Sequence, residues 1–287
     1  MKIGLVGPFE GRYREIGQEI IYAARLAVRE ANEAGGVAGY SIELVAFDDG
    51  GDAAQAEEQA RKLATDPQVV GVVGNWLEPT TLAAAPVLAA NNIPFLATTS
   101  SSDLDLSAFR LWPTDFALQA AVPEATFCSG HCDSLEDLDW LKSQIPAQPA
   151  NDTRNPKSQI AGPPLWGLNQ FPRLAGSAEE GVRVVAPAPL PADSADPAFA
   201  DRYRAISQGV EPRFLAVLAY DATRLLLTAI QNDVESKETP TRDGVALALA
   251  QLTYNGLSGG FSFNAEQDWA EANGWVYRWQ GGQLVRP

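Results

Sequence analysis

The stretch that decides the fold is VVGVVGNWLEPTTLAAAPVLAANNIPFLATTSSS, residues 69–102. It opens with a short apolar run, residues 69–73, which ends at a glycine and predicts a buried strand. Residues 79–90 follow as a predicted helix with proline in its first turn, where a missing N–H costs little. Residues 93–97 predict a second strand, closed by a hydroxyl-rich tail. A strand–helix–strand unit of this spacing predicts two parallel strands joined by a right-handed crossover.

The same alternation extends towards the N-terminus. Apolar runs predict strands at residues 3–6 and 41–47, and long stretches of helical periodicity predict helices at 16–34 and 53–64. Elements in this order form an α/β domain with a parallel sheet, whose ligands bind beyond the carboxyl ends of the strands. A site is therefore expected among four tails: residues 8–14, 48–51, 75–79 and 98–102.

None of the four tails carries a G-x-G-x-x-G or G-x-x-x-x-G-K pattern, so nucleotide binding is not expected.

After residue 109 the regular alternation of strand and helix patterns ends. Gly281 and Gly282 predict a hairpin turn between the last two strands. Strands are predicted at 125–128, 182–185, 261–263, 275–279 and 284–285, helices at 135–141 and 214–230, and loop or extended segments at 144–164 and 187–197.

Length and composition restrict the class of protein. The chain has 287 residues, 46% hydrophobic and 20% charged, which is typical of a globular protein with two domains. A formal net charge of −15 disfavours nucleic acid and anionic lipid as partners. No run approaches the roughly 20 apolar residues of a membrane helix, so direct membrane insertion is not expected. Residues 1–2 lead straight into the first strand, and we expect that an export signal or lipid anchor was either removed or never existed.

Two cysteines, Cys128 and Cys132, flank Ser-Gly-His. In an exported protein they predict a disulfide that closes a short loop, and a metal site with His131 is the alternative. Structural zinc needs four ligands, which the single histidine of the chain makes difficult. A Ser-His-Asp triad is not expected either, since one histidine cannot easily serve it here. We expect no enzymatic activity and no cofactor.

Several motifs together resemble one family. The chain is similar to the type I periplasmic binding proteins that serve ABC transporters of branched-chain amino acids (Leu/Ile/Val). The motifs that carry this resemblance are KIGLVGP (2–8), NEAGGVAG (32–39), DPQVVGVVG (66–74), PLWG (164–167), AYDA (219–222) and YNGLSG (254–259). Each is short, but they occur in the family's order across nearly the whole chain.

The resemblance implies two Rossmann-like α/β lobes with parallel sheets, joined by three hinge crossings, with the ligand in the cleft between them. Lobe 1 would comprise residues 1–112 and 190–255, and lobe 2 residues 113–187 and 257–287. The crossings would lie near residues 111–113, 186–187 and 256–257. Two strand–helix units of the family are absent after Val122, so a reduced second lobe is expected, whether by natural divergence or by deletion.

The resemblance also implies ligand-binding positions on lobe 1. Ser100 and Ser101 fall on a carboxylate-binding tail, where hydroxyl and N–H groups satisfy an anion. Glu78 stands where the family has a small, serine-like residue, and Arg12 could pair with it or bind the solute. The alternative is that Glu78 only begins a helix. Trp76 could stack on the solute or pack in the core.

Four further positions follow from the resemblance. Tyr220 matches a tyrosine that lines the cleft, and Asp221 would be a partner for an ammonium group or, alternatively, a solvated carboxylate on a helix face. His131 and Asn169 fall where the family contacts ligand from lobe 2.

The function implied is capture of a small amino-acid-like or amide-like solute for an ABC importer. The protein would be a periplasmic or extracellular monomer that interacts with the permease subunits of the importer. As an alternative to a freely diffusing protein, its native precursor would be lipid-anchored. Hinge closure on the solute would be its mechanism. Two rival functions remain at this point: a ligand-sensing regulator of the same fold, and an interaction protein that has lost solute binding.

Overall fold

A computed structural model describes residues 1–99, 108–128, 135, 138–144, 159–237 and 239–287. The chain forms two compact units. The first comprises Met1–Trp112 and Pro189–Ala272, and the second comprises Pro113–Ala188 and Asn273–Pro287. The chain therefore passes from one unit to the other three times, after residues 112, 188 and 272.

The secondary structure follows the alternation expected from the sequence. In the first segment the elements are β1 (Lys2–Gly7), α1 (Arg14–Glu33), β2 (Glu43–Asp48), α2 (Ala53–Thr65), β3 (Val69–Gly74), α3 (Glu78–Ala90), β4 (Phe95–Ala97) and β5 (Phe109–Arg110). The next are α4 (Asp115–Ala120), β6 (Thr126–Phe127), α5 (Asp139–Gln144), β7 (Ile160–Gly162), α6 (Phe171–Ala175) and β8 (Arg183–Ala186). The last are α7 (Phe199–Arg204), α8 (Phe214–Lys237), α9 (Arg242–Gln251), β9 (Tyr254–Gly256), β10 (Gly259–Phe261), β11 (Trp275–Gln280) and β12 (Gln283–Val285).

The first unit is built on a parallel sheet of strand order β2-β1-β3-β4-β5. All six residues of β3 are buried, which explains its uninterrupted run of valine and glycine. Helix α1 packs against α8 through a stripe of small and branched side chains at helical spacing. Helix α2 begins at Asp52, whose carboxylate accepts from the N–H of Gln55 at 2.9 Å. The α/β class predicted from the sequence is confirmed.

Helix α8 is the core helix of this unit. It is long and apolar enough to cross a membrane by length and composition, but 83% of its most apolar window is buried inside the protein. A Cβ at Gly71 of β3 would lie 2.6 Å from the Leu226 side chain, so this helix lies directly on the sheet. Such packing is typical of the central helix of a globular domain.

The second unit has a mixed sheet of strand order β12-β11-β8-β7-β6. Strands β6, β7 and β8 are parallel, whereas β11 runs antiparallel to both β8 and β12. Gly281 and Gly282 have φ of 57° and 75°, as the predicted hairpin between the last strands requires. The core contains three stacked rings, with Phe171 between Trp166 and Trp279.

One predicted boundary is wrong. Residues 257–272 were expected in the second lobe, but they belong to the first unit, so the third crossing follows residue 272 rather than lying at 256–257. The reason is contact made within the first unit. Trp269 stacks on Phe261 with ring centroids 4.4 Å apart and donates its indole N–H to the Gly260 carbonyl at 2.9 Å. Asp268 pairs with Arg110 of β5 at 3.0 Å.

Candidate functional site

The strand order of the first unit points to a candidate ligand site at the end of the sheet where its parallel strands terminate. We call this end of the sheet the carboxyl edge. The chain goes from β1 to β2 on one side and then crosses β1 to reach β3 on the other. A topological switch point therefore lies between the carboxyl ends of β1 and β3. In open α/β sheets the segments that follow such strands form a crevice that binds ligand. Here these segments contain Pro8, Asp49, Asn75 and Thr98.

Asp48 organises the loop that follows β1. Its Oδ1 accepts from the backbone N–H groups of Phe9 at 2.8 Å and Glu10 at 3.2 Å. The same oxygen also accepts from the N–H of Gly50 at 3.0 Å. A carboxylate that holds three amides in this way fixes the shape of two neighbouring loops at the carboxyl edge.

Asp49 links two strand ends below the surface. It has no solvent exposure, and it accepts from the Asn75 Nδ2 at 2.7 Å and from the Gly51 N–H at 2.9 Å. Burial raises the pKa of Asp49 above its usual range, because the charged form loses its hydration. This buried pair between the ends of β2 and β3 was not identified as part of the site from the sequence; only the position of both residues in strand tails pointed to it.

Asn75 is the centre of the polar network at this edge. Its carbonyl oxygen accepts from the hydroxyls of Thr81 at 3.0 Å and Thr98 at 3.2 Å, which ties the start of α3 and the end of β4 to the switch point. Its Oδ1 is buried and has no hydrogen-bond partner among the described residues. An amide oxygen of this kind can accept from a donor other than those of the described residues.

Trp76 lies where the sequence placed it, at the switch point. It is 3% exposed, and a Cβ built on Gly7 at the end of β1 would be 3.1 Å from its ring. Only glycine there lets the indole approach the first strand this closely. The indole Nε1 is buried and has no acceptor in the described part of the chain. Trp76 is therefore a packing residue whose indole N–H no described residue accepts from.

Glu78 is the first residue of α3 and is half-buried. The alternative role expected for it, to begin this helix, agrees with its position, because a carboxylate in the first turn interacts favourably with the helix dipole. Pro79 takes the second position and contributes no N–H. The start of α3 is thus negatively charged and poor in free donors. Its role towards a solute stays a prediction.

The other predicted residues of the first unit are distributed differently. Arg12 is exposed, with its guanidinium carbon 6.0 Å from the centre of the Tyr13 ring. Ser100 and Ser101 lie outside the described residues. In the second unit, Asn169 is exposed and follows β7 by a short 3₁₀ turn, while His131 lies outside the described residues.

Tyr220 has a structural role that the resemblance did not imply. It is 8% exposed and donates its hydroxyl to Glu30 near the end of α1. Glu30 also accepts from the Arg202 Nε at 2.8 Å. Sixteen helical residues separate Glu30 from the start of α1, so by the helical rise Tyr220 contacts α1 about 24 Å from the carboxyl edge. The expectation that Tyr220 lines the ligand site is therefore corrected.

Asp221 is corrected for a different reason. Its side chain has no exposure, and its two oxygens accept from the N–H groups of Leu257 at 2.7 Å and Ser258 at 2.8 Å. Burial raises the pKa of Asp221 to about 6. It is neither an ammonium partner nor a solvated helix-face carboxylate, because both oxygens hold the turn between β9 and β10. The two family motifs AYDA and YNGLSG meet at this point.

Cys128 ends the short segment after β6 and is buried in a disulfide. Cys132, the predicted partner, lies outside the described residues. In the described ranges, no group of three or more His, Cys, Asp or Glu side chains could hold a metal ion. The chemistry that the carboxyl edge offers is hydrogen bonding and apolar contact, from Asn75, Trp76 and the threonines after β4.

Comparisons with known proteins concern the sequence and the fold. The sequence model of the family described as periplasmic binding protein matches residues 1–125 and 150–283. A protein of Pseudomonas aeruginosa called amino acid binding protein is 33% identical over 85 residues, which are 30% of this chain and 23% of that protein. The Leu/Ile/Val-binding protein homolog 7 of Brucella abortus is 34% identical over 95 residues, which are 33% of this chain and 24% of that protein. The matched segment is thus about a quarter of these relatives' length.

Solved structures share the fold over nearly the whole chain. The branched-chain amino acid transporter substrate-binding protein LivJ from Streptococcus pneumoniae, in complex with isoleucine, has a TM-score of 0.78 at 19% identity, covering 100% of this chain and 99% of that one. A solute-binding protein of an ABC transporter from R. palustris, in complex with benzoate, has a TM-score of 0.72 at 18% identity, covering 99% and 94%. At these identities the likeness shows the fold.

Proposed function

This chain belongs to the family of periplasmic binding proteins, and on that premise we propose that it captures a small amino-acid-like or amide-like solute outside the cytoplasm for an ABC importer. It acts by binding and not by catalysis. Its partners are the solute and the permease subunits of the importer. The proposal places the solute at the carboxyl edge of the first unit's sheet.

One observation carries this proposal. At the switch point, Asn75 and Trp76 each keep a buried polar atom that no described residue satisfies. Buried polar groups are nearly always hydrogen-bonded, so unsatisfied ones next to each other at a strand-end crevice are what a site for a polar solute requires. Proteins of the same fold have been solved with isoleucine and with benzoate, which brings both amino acids and aromatic acids into consideration as chemical classes.

A thermal-shift screen of amino acids, amides, polyamines, sugars and aromatic acids tests the proposal, followed by calorimetry on each hit. A solute at 100 times its Kd stabilises the native state by about 2.7 kcal/mol, which raises the Tm by roughly 5 to 10 °C for a domain of this size. Titration should give one site per chain. A flat response to every class, from protein shown to be folded by circular dichroism, would contradict the proposal.

A charge variant locates the solute once a hit is known. Glu78→Gln removes the half-buried charge at the start of α3 and keeps the shape of the side chain. Affinity should fall several-fold for a cationic solute and rise for an anionic one. The matched control is Glu58→Gln on α2, which removes a surface acid paired with Lys62 and should leave affinity unchanged. Equal affinities in both variants would place the solute elsewhere.

A further inference from the structure

Three buried polar atoms of the first unit lack a partner among the described residues at one edge of the sheet. Two are donors, the indole Nε1 atoms of Trp76 and Trp112, and one is an acceptor, the Oδ1 of Asn75. Their residues are 3%, 5% and 0% exposed, respectively. Buried polar groups are nearly always hydrogen-bonded, so three such groups in segments that follow the strands of one sheet call for an explanation.

Strand register brings the two tryptophans into one row. Gly74 of β3 pairs with Ala97 of β4, which pairs with Arg110 of β5. Hydrogen bonds continue past the strand ends, from the Thr98 N–H to Gly74 and from the Leu111 N–H to Ala97.

Two residues after Gly74, Ala97 and Arg110, the chain has Trp76, Thr99 and Trp112, respectively. These three residues form the row. Neighbouring strands are about 4.8 Å apart, so the backbones of the two tryptophans lie roughly 10 Å apart with the threonine between them. Trp112 was not among the predicted site residues. Both tryptophans follow strands of the same sheet as Asn75, at the end where those strands terminate.

We propose that this row recognises a planar primary amide on the solute, its carbonyl accepting from the indole N–H groups and its NH₂ donating to Asn75. The inference rests on the proposed function and specifies the solute class for the same edge. A primary amide supplies one acceptor oxygen and two N–H donors, which complements the two donors and the acceptor that no described residue satisfies.

Charge at the same edge favours an amide over a carboxylate. Glu78 is half-buried at the start of α3, and Asp49 is buried beside Asn75. Pro79 removes one N–H from the first helical turn, which in other helices would help to hold an anion. A carboxylate would meet two carboxyl groups and few donors, whereas a neutral amide of the same shape would use Glu78 as an additional acceptor.

Benzamide and benzoate form a matched pair of probes, because they have the same shape and differ in charge and in the N–H donors. We expect benzamide to raise the Tm and to bind at least ten-fold more tightly than benzoate. Trp76→Phe and Trp112→Phe keep an aromatic ring and remove the donor. Each should weaken benzamide roughly three- to ten-fold, the range for one lost neutral hydrogen bond.

The control variant is Trp269→Phe. This indole belongs to the same unit, is 6% exposed and already donates to the Gly260 carbonyl at 2.9 Å. Its loss should lower the Tm and leave benzamide affinity unchanged. If a site variant fails to fold, indole N–H resonances of the ¹⁵N-labelled wild-type protein give the same information, since two of the seven tryptophan signals should shift with benzamide.

The outcomes separate this inference from the proposed function. Selective benzamide binding that is weakened by both site variants and not by the control supports it. Three results overturn the inference: equal benzamide affinity in all three variants, a preference for benzoate, or binding only of solutes without an amide. Each of these results leaves the proposed solute-binding function intact. Failure of every solute in the wider screen overturns both.

Discussion

Removing the buried carboxylate of Asp221 should destabilise the first unit without affecting solute binding. Asp221 accepts from the backbone N–H of Leu257 at 2.7 Å and from that of Ser258 at 2.8 Å. These bonds fix the turn between β9 and β10, which lies against α8. The substitution Asp221→Ala deletes both acceptors and leaves the turn without its anchor.

The magnitude follows from the exposure of the two donors. Leu257 is buried, so its N–H is left unsatisfied at a cost of about 1–3 kcal/mol. Ser258 is half-buried, and water replaces most of what it loses, at about 0.5–1 kcal/mol. We expect a total loss of about 1.5–4 kcal/mol, which is a fall in Tm of roughly 3 to 16 °C for a domain of this size.

Differential scanning calorimetry and urea unfolding measure this loss. Glu235→Ala is the matched control, because it removes an exposed acid from the same helix and should change stability by less than about 0.5 kcal/mol. Any solute found in the screen should bind Asp221→Ala with unchanged affinity at a temperature where the variant is folded. A variant of normal stability that has lost solute binding would refute the structural role.

Three other substitutions test separate features. Burial raises the pKa of Glu19 to about 8 from an ordinary value of 4.5, so the folded state loses stability as pH rises from 4.5 to 8. Glu19→Gln should therefore flatten the decline of Tm over this pH range. An unchanged slope of Tm against pH would contradict the assignment. Arg242→Ala removes a guanidinium that donates to four backbone carbonyls at 2.9–3.4 Å. It should lower the free energy of unfolding in urea by about 2–3 kcal/mol, whereas a loss below about 0.5 kcal/mol would show these bonds to be unimportant. Gly74→Ala puts a Cβ 2.2 Å from the Val6 carbonyl at a φ of +140° and should strongly lower the yield of folded protein. Gly39→Ala is the control, because φ is +82° there with open space around it, and it should lower stability by only about 1 kcal/mol. Equal effects of the two substitutions would exclude the clash as the cause.

Much of the fold could be predicted from local patterns. The buried run of β3, the helix α3 with proline in its first turn, and the paired glycines of the last hairpin each determine their structure within a few residues. Strand–helix alternation then determined the parallel sheet and, through it, the edge at which the candidate site lies. These signals are strong because each depends on backbone preference or on the period of burial.

The predictions that the structure corrected concern contacts between residues far apart in the sequence. The segment 257–272 was assigned to the wrong lobe because the Trp269 stack and the Asp268–Arg110 pair join residues far apart in sequence. Asp221 was expected at the ligand because no local pattern shows that its carboxylate meets a turn 36 residues away. Trp112 was missed, because only the structure shows that its indole N–H has no partner in the described part of the chain.

A crystal structure with a solute identified by the screen tests the central claim most directly. The expected result is one solute molecule at the carboxyl edge of the first unit's sheet, with a polar atom within hydrogen-bond distance of Asn75 or Trp76. Solute bound at the opposite edge instead, for example in the cavity of about 550 Å³ lined by Phe95, Phe109, Asp243 and Glu266, would contradict the account.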